Sequence, residues 1–254
     1  MTETVPAIRT VHLKKKYGEH LALRDLSVEV QPGEIFCYLG PNGAGKTTTI
    51  KILTGLLRPT EGHAEILGCD IQKEPVKAKQ QIGYIPDHPY LYEKLTGREF
   101  FYFIGDLFGI ERKRADERLV EYFDIFGLTG AEDSFIENYS HGMRQKLVFS
   151  VSLMHEPRVL VVDEPMVGLD PQSARVLKRL LQRKVDEEGL AVFLSTHTLS
   201  VAAELADRIG VLHHGELIFS GSLQEMREQL GEAKNLEEMF LSLTGVELEP
   251  EEIE

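Results

Sequence analysis

Apolar and polar positions alternate through residues 7–35, with Ile8, Val11 and Leu13 and then Leu23, Leu26, Val28 and Val30 on the apolar side. Turn signals at Tyr17-Gly18 and Pro32-Gly33 cut this stretch into short strands that lead into the apolar run Ile35–Leu39. A further strand pair is expected near His63 to Leu67, after the Arg58–Gly62 turn, so the N-terminal third reads as β-rich around one helix, Thr48–Leu53. From Thr96 the period lengthens to that of a helix. The capping box Thr96-Gly97-Arg98-Glu99 opens a run through Phe100, Phe101, Phe103, Ile104, Leu107 and Phe108; a second helix is expected over Ala115 to Phe126 and a third after Ser140.

Beyond Pro157 the pattern returns to short apolar runs separated by helical stretches. Val159–Val162, Ala191–Leu194 and Ile209–Leu212 read as strands; a helix opens at Asp170-Pro171, an acidic cap followed by proline at the first helical position, and another spans Leu199 to Ala206. Strands alternating with helices imply a mostly parallel sheet. Two more helices are expected, one capped by Ser222 to Glu225 and one around Leu236 to Leu243, before a glutamate-rich tail from Glu247 that reads as solvated chain. His213-His214-Gly215 reads as a β-turn with no metal or catalytic role.

The first chemistry sits where the apolar run Ile35–Leu39 meets the following helix. Gly40-Pro41-Asn42-Gly43-Ala44-Gly45-Lys46-Thr47 is the G-x-x-x-x-G-K-[ST] loop in its strand-loop-helix setting, with Thr48 continuing into the helix. Gly40, Gly43 and Gly45 are expected to turn with positive φ and let backbone N–H groups reach phosphate oxygens. Lys46 is expected on the β- and γ-phosphates of ATP and Thr47 on Mg²⁺. Such a loop needs a carboxylate at the end of another buried strand, which Val159-Leu160-Val161-Val162-Asp163-Glu164 supplies: Asp163 for the ion and Glu164 to polarise water against the γ-phosphate. Ser140 and Gly142 open a helix patterned by Leu147, Val148, Val151 and Met154, and a small hydroxyl beside bare backbone at a helix N-terminus suits an anion.

Composition narrows the partners. The formal charge of −13 and pI near 5.2 argue against nucleic acid as a partner, so a nucleotide must be held by a local site. Cys37 and Cys69 lack metal-ligand spacing and fit reduced thiols in a cytoplasmic setting. The N-terminus shows no signal-peptide pattern, and no run approaches the length needed to span a bilayer, so spans for work at a membrane are expected from another subunit.

These motifs together, from about Ile8 to Gly221, resemble the nucleotide-binding subunit of an ABC transporter, in the export-type, ABC-2-like single-domain form. Asn138-Tyr139-Ser140-His141-Gly142-Met143-Arg144-Gln145 is similar to the family signature Leu-Ser-Gly-Gly-Gln. The resemblance implies a P-loop NTPase (RecA-like) α/β core with a mostly parallel sheet, an N-terminal antiparallel β subdomain and an α-helical subdomain inserted at about 88–157. Residues 5–225 would form the nucleotide-binding domain and 226–254 a helical extension with an acidic tail. It further implies a head-to-tail dimer, expected to be homomeric, in which Ser140 and Gly142 of one subunit close over ATP held by the other. Tyr17 would stack on adenine, Asp170 of the loop Val167–Asp170 would contact the partner, and His197, ending Ser195-Thr196-His197, would touch the γ-phosphate. Integral membrane permease subunits would hold the dimer at the inner face of the cell membrane.

Two departures stand out. The loop entering the helical insertion carries Gln in the family, after Tyr-x-Pro; here Tyr84-Ile85-Pro86 is followed by Asp87, which is expected near Mg²⁺. His141 and Met143 depart from the commonest signature. Rivals fit less well: repair or chromosome ATPases insert a long coiled coil, whereas only roughly ninety residues without a heptad run separate the two motifs here. Ribosome-associated relatives carry two cassettes in tandem, and a GTPase needs Asn-Lys-x-Asp. A soluble regulatory ATPase outside transport remains the alternative.

Overall fold

The computed structural model describes residues 5–230 and 236–245; the tail from Glu247 lies outside them. In chain order the elements are β1 (Ile8–Tyr17), β2 (His20–Val30), β3 (Ile35–Leu39), α1 (Lys46–Leu53), β4 (Glu61–Ile66), β5 (Cys69–Asp70), α2 (Pro75–Gln80) and β6 (Ile82–Ile85). Then come α3 (Gly97–Leu107), α4 (Arg112–Ile125), a 3-10 turn at Ile136–Asn138, α5 (His141–Leu153), β7 (Val159–Asp163), α6 (Pro171–Glu188) and β8 (Ala191–Thr196). The chain continues with α7 (Leu199–Leu205), β9 (Arg208–His213), β10 (Glu216–Gly221), α8 (Leu223–Leu230) and α9 (Leu236–Thr244).

Among the described residues, ten strands join in the order β5-β4-β1-β2-β10-β9-β3-β8-β7-β6. β1 pairs antiparallel with β2 and β4, which gives the expected antiparallel N-terminal part, while β9, β3, β8, β7 and β6 run parallel. Strands β3 and β7 are buried along their whole length, as a parallel strand covered on both faces must be. The period of two then assigns faces: Phe36 and Tyr38 pack with Ile50 and Leu53 of α1, whereas Cys37 and Leu39 face the core that contains Phe101, Phe123 and Phe149. Those three rings are fully buried, each contributing about 1.5–3 kcal/mol, and they fasten α3, α4 and α5 to one another between β6 and β7.

Local signals explain most boundaries. The Thr96 capping box forms as read: Thr96 Oγ1 accepts from Glu99 N at 3.1 Å and Glu99 Oε2 from Thr96 N at 2.8 Å. Asp170 caps α6, and Gly189, with φ of 68°, ends it. The His213–Gly215 turn joins antiparallel β9 and β10, with positive φ at His214 and Gly215.

The structure also adds to the reading. α1 starts at Lys46 rather than Thr48, α4 covers 112–125 rather than 115–126, and α2 and β6 were not foreseen. Both of the latter are short, and β6 is an edge strand of only Ile82–Ile85 whose single partner is β7. Among the described residues no helix is long and apolar enough to cross a membrane.

Candidate functional site

The parallel register decides where the chemistry lies. Leu39 pairs with Thr196 and Asp163 with Ser195, so β3, β7 and β8 end at one edge and release the P-loop, Glu164 and His197 side by side. A crevice beyond the carboxyl ends of parallel strands is the general ligand position in such sheets. Here it is a cavity of about 420 Å³ lined by Tyr17, Lys46, Thr47, Asp87, Asp163, Glu164 and His197, with Pro41, Asn42, Gly43, Gly45 and Thr48 on the loop side.

The loop glycines differ in their reasons. Gly43 and Gly45 have positive φ, 79° and 113°, as expected. Gly40 does not; a Cβ there would sit 2.4 Å from the Leu212 carbonyl oxygen, so close packing against β9 rather than φ requires glycine. Gly40 and Ala44 do not line the cavity: Ala44 is buried, its N–H donating to the Pro41 carbonyl at 3.1 Å while its own carbonyl accepts from Gly215 N at 3.0 Å. Both shape the loop from behind.

Lys46 is buried, and its Nζ donates to the carbonyls of Gly40 at 2.5 Å and Pro41 at 3.2 Å. Burial lowers its pKa, opposed by the charges of Glu164 and Asp163. Asp163 is pushed the other way: burial raises its pKa and the charges of Glu164 and Asp87 raise it further, against the neighbouring Ser195 hydroxyl and Lys46, which lower it. Three carboxylates thus face one buried lysine, a surplus of negative charge that suits a cation. Thr47 Oγ1 lies 3.4 Å from Asp163 Oδ2, so a hydroxyl and a carboxylate oxygen stand together at the cavity wall. Among the described residues no three His, Cys, Asp or Glu side chains gather closely enough to hold a metal by themselves. A divalent ion here would draw most of its ligands from phosphate and water, the usual habit of Mg²⁺.

Glu164 is held firmly. Its backbone has φ of 50°, uncommon for a side chain with a Cβ, and its N–H donates to the Ser195 carbonyl at 2.9 Å. Oε2 accepts from Thr196 Oγ1 at 3.0 Å, and Oε1 accepts from His197 N at 3.0 Å and lies 2.7 Å from His197 Nδ1. Thr196 was given no role in the sequence, although it directly precedes His197, which was singled out. Tyr17 ends β1, is 46% exposed beside the cavity and carries Lys15 over its ring at 5.1 Å. Asp87 Oδ2 lies 2.8 Å from Nδ1 of the exposed His88.

Ser140, Gly142 and Asp170 do not join this cavity. Ser140 is exposed and caps α5, its Oγ accepting from Met143 N at 3.2 Å. Asp170 accepts from Ser173 N at 2.9 Å and Ser173 Oγ at 2.5 Å, bonds that lower its pKa, and lies 3.9 Å from Lys146 Nζ. The two features meet each other instead: the His141 ring packs over Gly168 in space a Cβ there would enter, so this contact, together with a φ of 77°, requires glycine at 168.

A second recess went unread in the sequence. This groove of about 340 Å³ is walled by Leu56, Tyr84, Pro86, Tyr90, Phe100 and His155, between the end of α1 and helices α3 and α5. Of its walls, Tyr90 at 96% and Leu56 at 62% exposure present apolar surface to solvent. His155 stacks on Phe108 at 3.8 Å and burial lowers its pKa to about 4, so the groove carries a neutral imidazole.

The ABC transporter family profile matches residues 23–167. The daunorubicin/doxorubicin resistance ATP-binding protein of Streptomyces peucetius is 40% identical over 230 residues, covering 91% of this chain and 69% of that protein. The linearmycin resistance ATP-binding protein of Bacillus subtilis is 36% identical over 224 residues, covering 88% and 72%. Among solved structures, an ATP-binding subunit of an ABC transporter superposes with a TM-score of 0.89 at 32% identity, covering 93% of this chain and 99% of that one. A dimeric bacterial ABC transporter cassette gives 0.79 at 25%, covering 85% and 98%.

Proposed function

The chain belongs to the ABC transporter family of ATP-binding proteins, and from that premise we propose that it is the subunit that powers export through separate membrane permeases. ATP binding and hydrolysis follow from the family. The convergence of Lys46, Thr47, Asp163, Glu164 and His197 at the ends of three neighbouring parallel strands carries the assignment of roles. In that assignment Pro41, Asn42, Gly43 and residues 45–48 cradle the phosphates on a loop that Gly40 and Ala44 shape from behind, Lys46 neutralises them and Tyr17 stacks on the base. Thr47, Asp163 and Asp87 would hold Mg²⁺, which supplies charge neutralisation at the β- and γ-phosphates when bound. Glu164 accepts a proton from, or orients, the attacking water, and His197 holds that carboxylate in place while facing the γ-phosphate.

Two copies are needed in this reading, because Ser140, Gly142 and Asp170 do not line the chain's own cavity. Placed head to tail, each copy closes its signature face over the other's nucleotide, so loss of the γ-phosphate opens the pair. The likeness to a dimeric cassette supports this arrangement. Residues 5–225 form the nucleotide-binding unit, with the helices between 88 and 157 as its insertion and the described part of 226–254 as a helical extension.

The apolar groove beside Tyr90 is our candidate seat for the permease. Its wall includes Pro86, Pro89 and Tyr90 while Asp87, between them, lines the ATP cavity, so one short segment touches both. Relatives concerned with drug resistance support export, and the permease would keep the chain at the inner face of the membrane. Purification of the tagged chain from membranes tests the reading: a multi-span partner should accompany it, whereas recovery without one, with full ATPase activity, would favour a regulatory ATPase.

A further inference from the structure

The segment that leaves the ATP cavity is bound, a few residues on, to the segment that enters the signature helix. Glu137 N donates to the Glu93 carbonyl at 3.1 Å and Ile136 N to the Leu95 carbonyl at 2.9 Å. Thr96 and Phe135 form an antiparallel bridge, and Lys94 Nζ reaches Glu137 Oε2 at 2.5 Å. One side chain of the signature helix closes this ladder. Arg144 donates from Nη1 to Glu93 Oε1 at 2.8 Å, from Nη2 to the Glu137 carbonyl at 3.2 Å and from Nε to the Tyr139 carbonyl at 3.2 Å.

An arginine one turn into an anion-binding helix invites the reading of a phosphate ligand. Here all three guanidinium nitrogens are already engaged, in a planar fork that a lysine could not reproduce. The pair is partly exposed, Arg144 at 30% and Glu93 at 53%, so it adds little to stability. What it fixes is geometry: the carbonyl of Tyr139 immediately precedes Ser140, and Glu93 lies between Asp87 and the start of α3.

We propose that Arg144 is a positioning residue that makes the signature face follow the Asp87 segment, so that each subunit's own nucleotide sets whether its Ser140 face can close on the partner's. This rests on the reading of Ser140 and Gly142 as acting across a dimer. Removing the side-chain pair leaves the ATP cavity and the backbone ladder intact but frees the turn at Tyr139 from its anchor, so that Ser140 is held less exactly; the effect therefore falls on association and cooperativity rather than on nucleotide affinity.

The test uses Glu93→Ala and Glu93→Asp, with Arg144→Lys as a second route to the same break. For each, monomer affinity for a fluorescent ATP analogue, ATP-dependent dimerisation by light scattering and the cooperativity of ATP hydrolysis are measured. Glu93→Ala and Arg144→Lys should bind nucleotide like the wild type, yet need roughly three- to thirtyfold more ATP or protein to dimerise and hydrolyse without cooperativity. Glu93→Asp, which keeps the charge, should recover part of the loss. Wild-type dimerisation and cooperativity in both Glu93→Ala and Arg144→Lys would overturn the proposal alone. A wild-type chain that stays monomeric with ATP would overturn the dimer reading and this proposal with it.

Discussion

The P-loop face and the proposed second anion face at Ser140 differ in how far each is completed by the chain's own residues. At the P-loop every reactive side chain has a partner within the same chain: Lys46 on loop carbonyls, Thr47 beside Asp163, Glu164 between Thr196 and His197. At the signature, Ser140 and Gly142 are fixed in place by helix capping and by contact with the Val167–Asp170 loop, but they stand outside the cavity. One face is a nearly assembled site and the other a prepared surface. The lesson is that order without a ligand-facing cavity marks a half-site, and predictions should separate variants that damage the first face from those that damage the second.

Glu164→Gln should give the largest effect, because the amide keeps the shape but loses the basic oxygen; kcat should fall by about 10²–10⁴-fold with ATP affinity retained. Steady-state hydrolysis at the wild-type rate would remove Glu164 from its proposed role. Lys46→Ala comes next. Loss of a buried cation from the phosphate site should weaken ATP binding by about a hundredfold, roughly 3 kcal/mol, read by isothermal titration. Near-normal binding would mean that the loop backbone alone suffices.

Ser140→Arg tests the other face, replacing the small cap with a bulky cation at the second anion site. Monomer ATP binding should change less than about twofold while ATP-dependent association weakens by about tenfold or more, since a helix cap is also lost. A binding defect as deep as that of Lys46→Ala would show that the two faces are not separate. Asp87 should give the smallest change, because it touches the cavity from the segment that also walls the groove. Asp87→Ala is expected to spare ATP binding and lower transport per ATP hydrolysed by a few-fold in the reconstituted complex, within the range of about 0.5–2 kcal/mol typical of coupling positions. Asp87→Gln should retain much of the coupling; an unchanged ratio in Asp87→Ala would reduce Asp87 to a solvated loop residue.

Much of the first face was legible because its parts are contiguous in sequence: Gly40–Thr47 and Val159–Glu164 each carry strand, turn and functional group in one short run. The sheet order was less so, since β10 reaches β2 through the single pair Glu216 and Asp25, which no local pattern announces. Gly40 shows the limit in a single residue. Its glycine was expected for φ, but the cause is the Leu212 carbonyl, a neighbour from a distant strand. Thr196 and the apolar groove escaped for the same reason: a hydroxyl bonded to Glu164 and a recess walled by α1, β6, α3 and α5 exist only once those elements pack. His141 was visible as a departure from the usual signature, but its contact with Gly168 required the fold.

Complementation between two inactive chains tests the divided site most directly. Lys46→Ala has a crippled P-loop and Ser140→Arg a crippled signature face, so at ATP and protein concentrations just sufficient for the wild type neither should form an ATP-dependent dimer alone. In a mixture, the intact P-loop of the Ser140→Arg chain can meet the intact signature of the Lys46→Ala chain, restoring one composite site. Light scattering should then report dimers that appear on adding ATP to the mixture and are absent from either variant by itself. A mixture that behaves as the plain sum of two inactive proteins would contradict the account, because it would place both faces in the service of one chain's own nucleotide.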